Sequence, residues 1–453
     1  MINWGVRHLA PLLTLVILTY QDSPCPKIGG VNLIALAIGS VEPANLILGW
    51  ERLLDRKRVD VRQLIPIFDP SVPDWALSAR LLRWLTFLWL FIGLAVLFSA
   101  SYPTANADFG DGFYYFKRQM IWVMVGLVGF NVVVYSPLRY ILAIAHWGIF
   151  ILLGAIALTL VPGVGTTVNG ATRWLAVGSI PIQPSELIKP FLVLQSARIF
   201  GRWSRLPWRD RLIWIGIFAA ILFGILLQPN LSTTALCGIT LWLVALGAGL
   251  PYKYLGGTAL TGIFFALLSI TFKEYQRRRV MSFLNPWQDW FGDGYQLIQS
   301  LLAVGSGGFW GNGFGLSQQK LLYLPIQFTD FIFAVFAEEF GFIGSLAMFL
   351  MLGAYATLGL WVALGARTLV YQLVAIGATV VMVGQSLLNI GVATGALPTT
   401  GLPFPLFSYG GSSMIASLTI AGLLIRVARE SSGAQIISMG DRRDRRRQRR
   451  SPR

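Results

Sequence analysis

The chain has 453 residues, 55% of them hydrophobic and only 12% charged, and its 36 Lys and Arg outnumber 20 Asp and Glu for a formal net charge of +16. Soluble domains carry roughly a quarter charged residues, so this balance and a mean hydropathy of +0.64 exclude an ordinary water-soluble enzyme. Two cysteines, Cys25 and Cys237, and two histidines, His8 and His146, are too few and too scattered for a disulfide framework or a zinc or haem site.

In chain order, residues 1–81 read as an N-terminal extension, cytoplasmic or interfacial. Leu9–Tyr20 is too short to cross a bilayer, and 27–50 is interrupted by glycine, Glu42 and Pro43, so no function attaches to it. Apolar windows then predict ten spans, at 82–100, 119–135, 140–161, 184–200, 211–228, 232–249, 253–271, 329–352, 371–393 and 410–427, the eighth able to run on to about 363. Each is about 17–24 residues, the length that crosses ~30 Å of hydrocarbon as a helix. Backbone groups in hydrocarbon must pair inside the segment, which leaves helices or closed barrels, and the alternating strands of a barrel are absent. The expected fold is all-α: a membrane domain over 82–427 with about ten transmembrane helices and a large extracytoplasmic loop between the seventh and eighth, then a basic tail at 428–453. The fourth span is the least hydrophobic, which predicts shielding inside the bundle. His146 in the third reads as a packed, neutral residue.

Lys and Arg asymmetry predicts the orientation. Arg52, Arg56, Lys57, Arg58, Arg62, Arg80 and Arg83 precede the first span, and Arg198, Arg202, Arg205, Arg209 and Arg211 separate the fourth from the fifth. Asp441–Arg453 adds eight arginines and two aspartates after the tenth. With ten spans all three fall on one side, which is then cytoplasmic along with both termini. The tail reads first as a solvated segment, and beside a membrane anchor anionic lipid or a topological role fits it better than nucleic acid. Segments 103–118, 162–183, 272–328 and 394–409 face outward. Lys273, Arg277, Arg278 and Arg279 break the inside-positive bias there and suggest an anionic ligand.

Soluble-enzyme signatures are absent: no Walker loop, no dinucleotide glycine pattern after a strand, no HExxH helix. Charge, Gly and Pro gather instead in the outward segments. Asp289 follows Asn285-Pro286-Trp287, an aromatic turn at the water–lipid boundary, where a carboxylate can gain a raised pKa and accept a proton. A plain turn residue is the competing reading, and it is the one that fits Asp293 between Gly292 and Gly294. In Gln183-Pro184-Ser185-Glu186-Leu187-Ile188-Lys189-Pro190, Pro184 suits the first helical position and Glu186 the positive helix start. Glu186 and Lys189, three apart, share a helix face, either as a structural ion pair or as part of a site. Thr329 is expected to cap the eighth span and Asp330 to favour its dipole, while Glu338 and Glu339, about two turns deeper, should be functional or paired. Asp289, Glu186, Lys189, Arg173, Asp330 and Arg277–Arg279 could converge on one outward opening suited to a phosphorylated, lipid-linked substrate. A transporter would carry the same pattern.

Several motifs in order run between about Leu82 and Arg426: NGATRW with QPSELIK, SFLNPWQDWFGDGYQLIQSLLAVGSGG, TDFIFAVFAEEFG, and ALPTTGLPFPLFSYGGSS ending at Ser413. On these the chain resembles the SEDS family (shape, elongation, division and sporulation), the polytopic peptidoglycan polymerases of bacteria. Gln296 in GYQ, where elongation members commonly have His, and the stretch GFGLSQQKLLYLP make it similar to the division branch. Two positions depart from the family pattern. Asn230 stands where a carboxylate is frequent, and Phe328 precedes Thr329 where a histidine is frequent, which excludes a histidine role there. Together these variants resemble cyanobacterial members.

The resemblance implies that Asp289 is the family's essential aspartate, that Glu186 and Lys189 are its functional helix pair, and that Asp293 occupies a variable position. Arg173, Arg277, Arg278, Arg279, Asp330, Ser408, Gly410 and Gly411 are the expected substrate contacts. It further implies polymerisation of lipid II into glycan strands during septal wall synthesis, by attack of a GlcNAc 4-hydroxyl on the anomeric carbon of a lipid-diphosphate-linked MurNAc with inversion. Glycosidases use two carboxyls because their leaving group must be protonated, whereas a diphosphate leaves once its charge is neutralised. One base with cations or a divalent metal, Mg or Mn, then suffices. Expected partners are lipid II, the nascent strand, a class B penicillin-binding transpeptidase and other divisome proteins. The expected location is the bacterial plasma membrane at the division septum. Rival readings are an elongation-type polymerase, a divisome scaffold and a lipid II flippase, the last requiring a polar path across spans whose inner halves are mostly apolar.

Overall fold

The computed structural model describes residues 72, 75–168, 171–178 and 180–448, without the side chains of 167, 168, 171, 177 and 432–448. The expectations for residues 1–71, for Asn169 and Gly170, and for the side chains of the arginine-rich tail lie outside the described residues. The chain divides into units Met1–Gln63 and Leu64–Arg453, and the architecture below belongs to the second.

The apolar runs form α1 (Leu77–Phe109), α2 (Tyr114–Tyr135), α3 (Leu138–Thr159), α4 (Pro184–Phe200), α5 (Trp208–Leu227), α6 (Leu231–Gly247) and α7 (Tyr252–Phe272). After α8 (Glu274–Leu284) and α9 (Tyr295–Ser306) come α10 (Ile332–Leu364), α11 (Leu369–Ala393) and α12 (Gly411–Gln448). Among the described residues eight helices are long and apolar enough to cross a membrane: α1, α2, α3, α5, α7, α10, α11 and the Gly411–Ser431 part of α12. The remaining two predicted spans are the 17-residue α4 and α6. At 1.5 Å per residue each of these covers about 25 Å. Fourteen residues of α4 are buried, so it is shielded by its neighbours α3, α6, α11 and α12 as its weak hydropathy predicts. The chain is a multi-pass helical membrane protein with the ten segments in the predicted order.

Local chemistry explains the helix ends. Gly110 takes φ 68 after α1, a left-handed cap that glycine enters without a Cβ penalty. Asn230 caps α6 by accepting from Thr233 N at 3.3 Å, so the amide that replaces the family's carboxylate still serves as an N-cap. Thr329 does not cap the eighth span. Its hydroxyl donates to Ile326 O at 3.0 Å, and α10 begins only at Ile332 after a run of turns.

Two features lie outside the all-α expectation. Between α3 and α4 the chain forms an antiparallel sheet of β1 (Gly165–Val168), β2 (Ala171–Val177) and β3 (Ile180–Ile182), in that order. The long connection from α7 to α10 is folded rather than a loop, because α8 and α9 pack within it.

One end of the bundle collects the connections 110–113, 160–183, 228–230, 273–331 and 394–410, and is called here the loop-rich end. Gln276 Nε2 cross-links two of them by donating to Pro229 O at 2.9 Å, and Ser232 Oγ, in the first turn of α6, donates to Thr400 O at 3.3 Å. The opposite, basic end carries Arg139, Arg198, Arg202, Arg205, Arg209, Arg211, Lys253 and Arg367. The 394–410 connection dips into the bundle: Leu402, Phe404, Leu406 and Phe407 are buried, and the Phe404 ring packs on Trp89 and Phe333. Non-helical backbone at such depth is tolerated only where protein groups satisfy it. Side chains of Gln385, Asn389 and Ser408 do so for Pro403 O, Leu402 O and Phe404 N.

Candidate active site

The N-terminus of α4 places the first two site residues. Pro184 occupies the first turn, and Glu186 N donates to Gln183 O at 3.1 Å. From there Glu186 Oε1 accepts from Lys189 Nζ at 2.6 Å, both side chains 2% exposed. The spacing-based pairing is therefore realised, and the pair lies beneath the surface rather than on it. Lys189 Nζ makes a second bond, to Gln385 Oε1 on α11 at 2.8 Å.

Arg173 arrives by a different device. β1 and β2 pair as Thr166–Trp174 and then Thr167–Thr172, so Arg173 is the extra residue of a β-bulge. Bulges re-aim a side chain out of the strand's alternation, and they recur beside active sites. The guanidinium turns to the α5–α6 connection, with Nε to Gln228 O at 3.1 Å and Nη2 to Pro229 O at 2.6 Å. Nη1 faces the 394–410 connection, where it meets two other predicted residues. The position a Cβ on Gly401 would occupy lies 3.9 Å from Arg173 Nη1, 3.7 Å from Arg279 Nη1 and 3.4 Å from Asp330 Oδ2. Gly401 has φ +73, and its missing side chain leaves that space open.

Arg279 is held over the Tyr275 ring at 4.6 Å and donates to Thr399 O at 3.3 Å. Among the described residues the Asp330 carboxylate makes no hydrogen bond and no ion pair within 4.0 Å. Burial pushes its pKa above the ordinary carboxylate value, Arg279 and Arg173 oppose the shift, and Glu186 adds to it. Glu186 is thus close enough for its charge to be felt, which joins the buried pair to the cluster around Gly401. Burial also disfavours the charge of Arg173, with Tyr275 and Asp330 helping to retain it.

The three consecutive arginines point different ways. Arg278 points outward and pairs with Glu274 at 2.6 Å, both exposed, so Glu274 is held below its usual range. Arg277 is exposed, and only Arg279 turns inward. Successive helix residues point about 100° apart, so the split follows from the helical period. Lys273 donates to Leu226 O at 2.6 Å.

Asp289 ends the 3-10 turn Pro286–Asp289 and is exposed, close to the packed rings of Trp287 and Trp290. Its Oδ2 accepts from Asp293 N at 2.9 Å, closing the turn, and a Cβ on Gly292 would lie 2.2 Å from that oxygen. Among the described residues no hydrogen bond or ion pair joins it to Glu186, Lys189 or Asp330. Asp293 contributes a backbone donor to this turn.

Ser408, Gly410 and Gly411 are packed. Ser408 Oγ accepts from Phe404 N at 2.7 Å and donates to Thr329 O, while Gly410 N donates to Gln119 Oε1 at 3.2 Å. A Cβ on Gly411 would meet the Trp122 ring at 2.5 Å. Glu338 and Glu339 are both paired. Glu338 accepts from Ser317 Oγ and Gln318 N, and Glu339 Oε1 accepts from Lys320 Nζ at 2.7 Å and from Ser99 Oγ.

Sequence reasoning missed Gln385, Asn389, Tyr275, Gly401 and Lys320. For Gln385 and Asn389 a signal existed: two amides four residues apart inside an apolar span, where polar side chains are rare and usually partnered. Among the described residues no group of three or more His, Cys, Asp or Glu is placed to hold a metal ion. The described side chains alone therefore offer no cage for the expected divalent cation.

The sequence profile of the FtsW/RodA/SpoVE family, described as cell cycle proteins, matches residues 79–433. The chain is 56% identical over 380 residues to a Synechocystis protein named "Probable peptidoglycan glycosyltransferase FtsW", covering 84% of this chain and 96% of that one. A chain from a solved structure titled "Structural coordination of polymerization and crosslinking by a peptidoglycan synthase complex" superposes with a TM-score of 0.62 at 31% identity, covering 77% of this chain and 97% of that one. The Thermus thermophilus rod shape determining protein RodA superposes with a TM-score of 0.57 at 28% identity, covering 77% and 96%.

Proposed function

We propose that this chain, which belongs to the FtsW/RodA/SpoVE family of cell cycle proteins, is a peptidoglycan glycosyltransferase of the division type that polymerises lipid II. The observation that carries the assignment to a site is the convergence of Arg173, Arg279 and Asp330 on one open point beside Gly401, with the Glu186–Lys189 pair linked to the same connection through Gln385 and Pro403. Two guanidiniums facing one space suit a diphosphate, whose negative charge grows as the bond to the anomeric carbon breaks. Asp330 holds the space between the arginines, and Lys189, neutralised on one side by Glu186, adds positive charge behind them. Asp289 is the base that takes the proton of the attacking 4-hydroxyl. It is exposed to incoming sugar, and its Oδ1 is left over once Oδ2 has closed the turn. A divalent cation, Mg or Mn, would arrive with the diphosphate, since such ions commonly bind through one or two carboxylates plus substrate phosphates. The basic end is cytoplasmic, so the loop-rich end faces outward, where wall is built. Growing strands require crosslinking, which calls for a class B penicillin-binding transpeptidase as partner, at the septum.

The test is polymerisation of labelled lipid II by purified protein with its partner. Asp289→Asn should remove strand formation, a loss of ~10²–10⁴ for an acid–base group, while membrane insertion and partner binding persist. Activity surviving within a few-fold of the parent would sink the base assignment. One observation favours a second reading of the base: Asp330, half-buried and with no hydrogen bond to its carboxylate among the described residues, has its pKa raised by desolvation, as a proton acceptor requires. That reading requires Asp330→Asn, and not Asp289→Asn, to abolish turnover.

A further inference from the structure

Two amides on α11 stand between the cluster and the 394–410 connection. A π turn, Val380–Gly384, inserts an extra residue into α11, a feature frequent at functional sites, and Gln385 follows it directly. Gln385 is 2% exposed; its Oε1 accepts from Lys189 Nζ at 2.8 Å and its Nε2 donates to Pro403 O at 2.7 Å. The partners fix the orientation of the amide, because an ammonium only donates and a backbone carbonyl only accepts. One turn on, Asn389 donates to Asp330 O at 2.7 Å and to Leu402 O at 2.8 Å. Satisfying the buried carbonyls of the connection needs only donors. It does not call for an acceptor aimed at Lys189.

We propose that Gln385 is a positioning residue for Lys189. Together with Glu186 it takes two of the three ammonium donors, which fixes the direction of the third. Its other end rests on Pro403, two residues beyond Gly401, so the backbone facing Arg173, Arg279 and Asp330 also sets the amide that steers Lys189. A purely structural Gln385 would support the connection and leave turnover per folded molecule unchanged. The inference rests on Lys189 belonging to the polymerising site.

The experiment measures kcat and KM for labelled lipid II, with thermal stability, on the purified full chain in complex with its partner. Gln385→Met keeps the length and loses both donor and acceptor. Its kcat should fall about 10–100-fold, the effect of one hydrogen bond to a charged group, with KM little changed. Gln385→Glu keeps the acceptor for Lys189 and should recover most of the rate. In a Lys189→Met background, Gln385→Met should bring no further loss. The inference is overturned by parental kcat in Gln385→Met, by Gln385→Glu being as slow as Gln385→Met, or by losses that multiply in the double variant. Should Gln385→Met fail to insert, Gln385→Glu decides alone: near-parental kcat supports the role, and a loss as large as that of Lys189→Met overturns it. Parental activity in Lys189→Met itself would instead sink the site assignment, whatever Gln385 does.

Discussion

Among the described residues two Lys–Glu pairs are buried near the loop-rich end, and they connect different things. Glu339 on α10 reaches Lys320, nineteen residues earlier, and Ser99 on α1 also bonds to both charged groups. That pair ties a turn-rich connection to two helices. Glu186 and Lys189 are three residues apart on one helix and close no loop. Buried ion pairs often fail to repay their desolvation, so a pair whose two charges are neighbours on one helix is poorly explained by stability. Its remaining links run to Gln385 and, through its field, to Asp330, both at the cluster facing Gly401. What a buried charge connects is therefore a better guide to its role than how deeply it is buried.

The comparison breaks most visibly at Lys320. Lys320→Met leaves Glu339 buried without a counter-charge, which should destabilise by about 3–5 kcal/mol. Lys320→Met with Glu339→Gln should restore most of the thermal stability, and the refolded double variant should polymerise at close to the parental rate per folded molecule. A stable but inactive double variant would show that this pair, too, belongs to catalysis.

Glu186 and Lys189 should behave the other way. Glu186→Gln and Lys189→Gln should each reduce the polymerisation rate by about 10²-fold, in the range for a charged group acting on the reaction. The double change should cost little more than either alone and remain folded. Two losses that simply multiply would argue against a shared role, since groups that act as a unit are non-additive.

Asp330 tests the cluster from its acidic side. A carboxyl whose folded pKa is raised gives its stabilisation at low pH and loses it as pH rises through the raised value. At neutral pH the ionised group therefore works against folding. Asp330→Asn should melt higher than the parent near pH 7, with the difference shrinking on acidification, while activity falls. If Asp330 is the base, the acid limb of the pH–rate profile should move down or vanish in this variant; with Asp289 as the base it should stay where it is. Lower stability at pH 7 would mean that attraction to Arg173 and Arg279 outweighs burial.

Much of this is legible in the sequence. Hydropathy finds the ten segments because a span must be apolar along its whole length, and the i, i+3 spacing finds Glu186–Lys189 because one helix turn needs no tertiary information. Arg173 shows the limit. The sheet strands are only 4, 7 and 3 residues long, and a bulge is a matter of register between two strands, which neither strand states alone. Lys320–Glu339 joins a turn-rich segment of no period to a helix, so nothing local predicts it. The π turn before Gln385 is equally silent, since one inserted residue leaves an apolar run apolar. Arg277–Arg279 is different: the helical period could have separated them, had the segment been recognised as helix.

The smallest expected effect is also the cleanest control on the exposed turn. Asp293→Asn keeps the backbone N–H that bonds Asp289 Oδ2, and Asn tolerates the same turn geometry. Asp289→Asn likewise keeps an oxygen able to accept from that N–H. Both variants should therefore preserve the turn, and they differ only in which exposed negative charge is removed. Asp293 lies near enough to Arg278 to favour its charge, but Arg278 is already paired with Glu274 in water, so little rides on that attraction. Lipid II polymerisation by Asp293→Asn should thus match the parent within a few-fold while Asp289→Asn is inactive. If both variants fall together, the two carboxylates act as a unit, as they would in bridging a cation, and the single-base assignment fails. If neither falls, the exposed turn is structural and the base belongs to the buried cluster at Asp330.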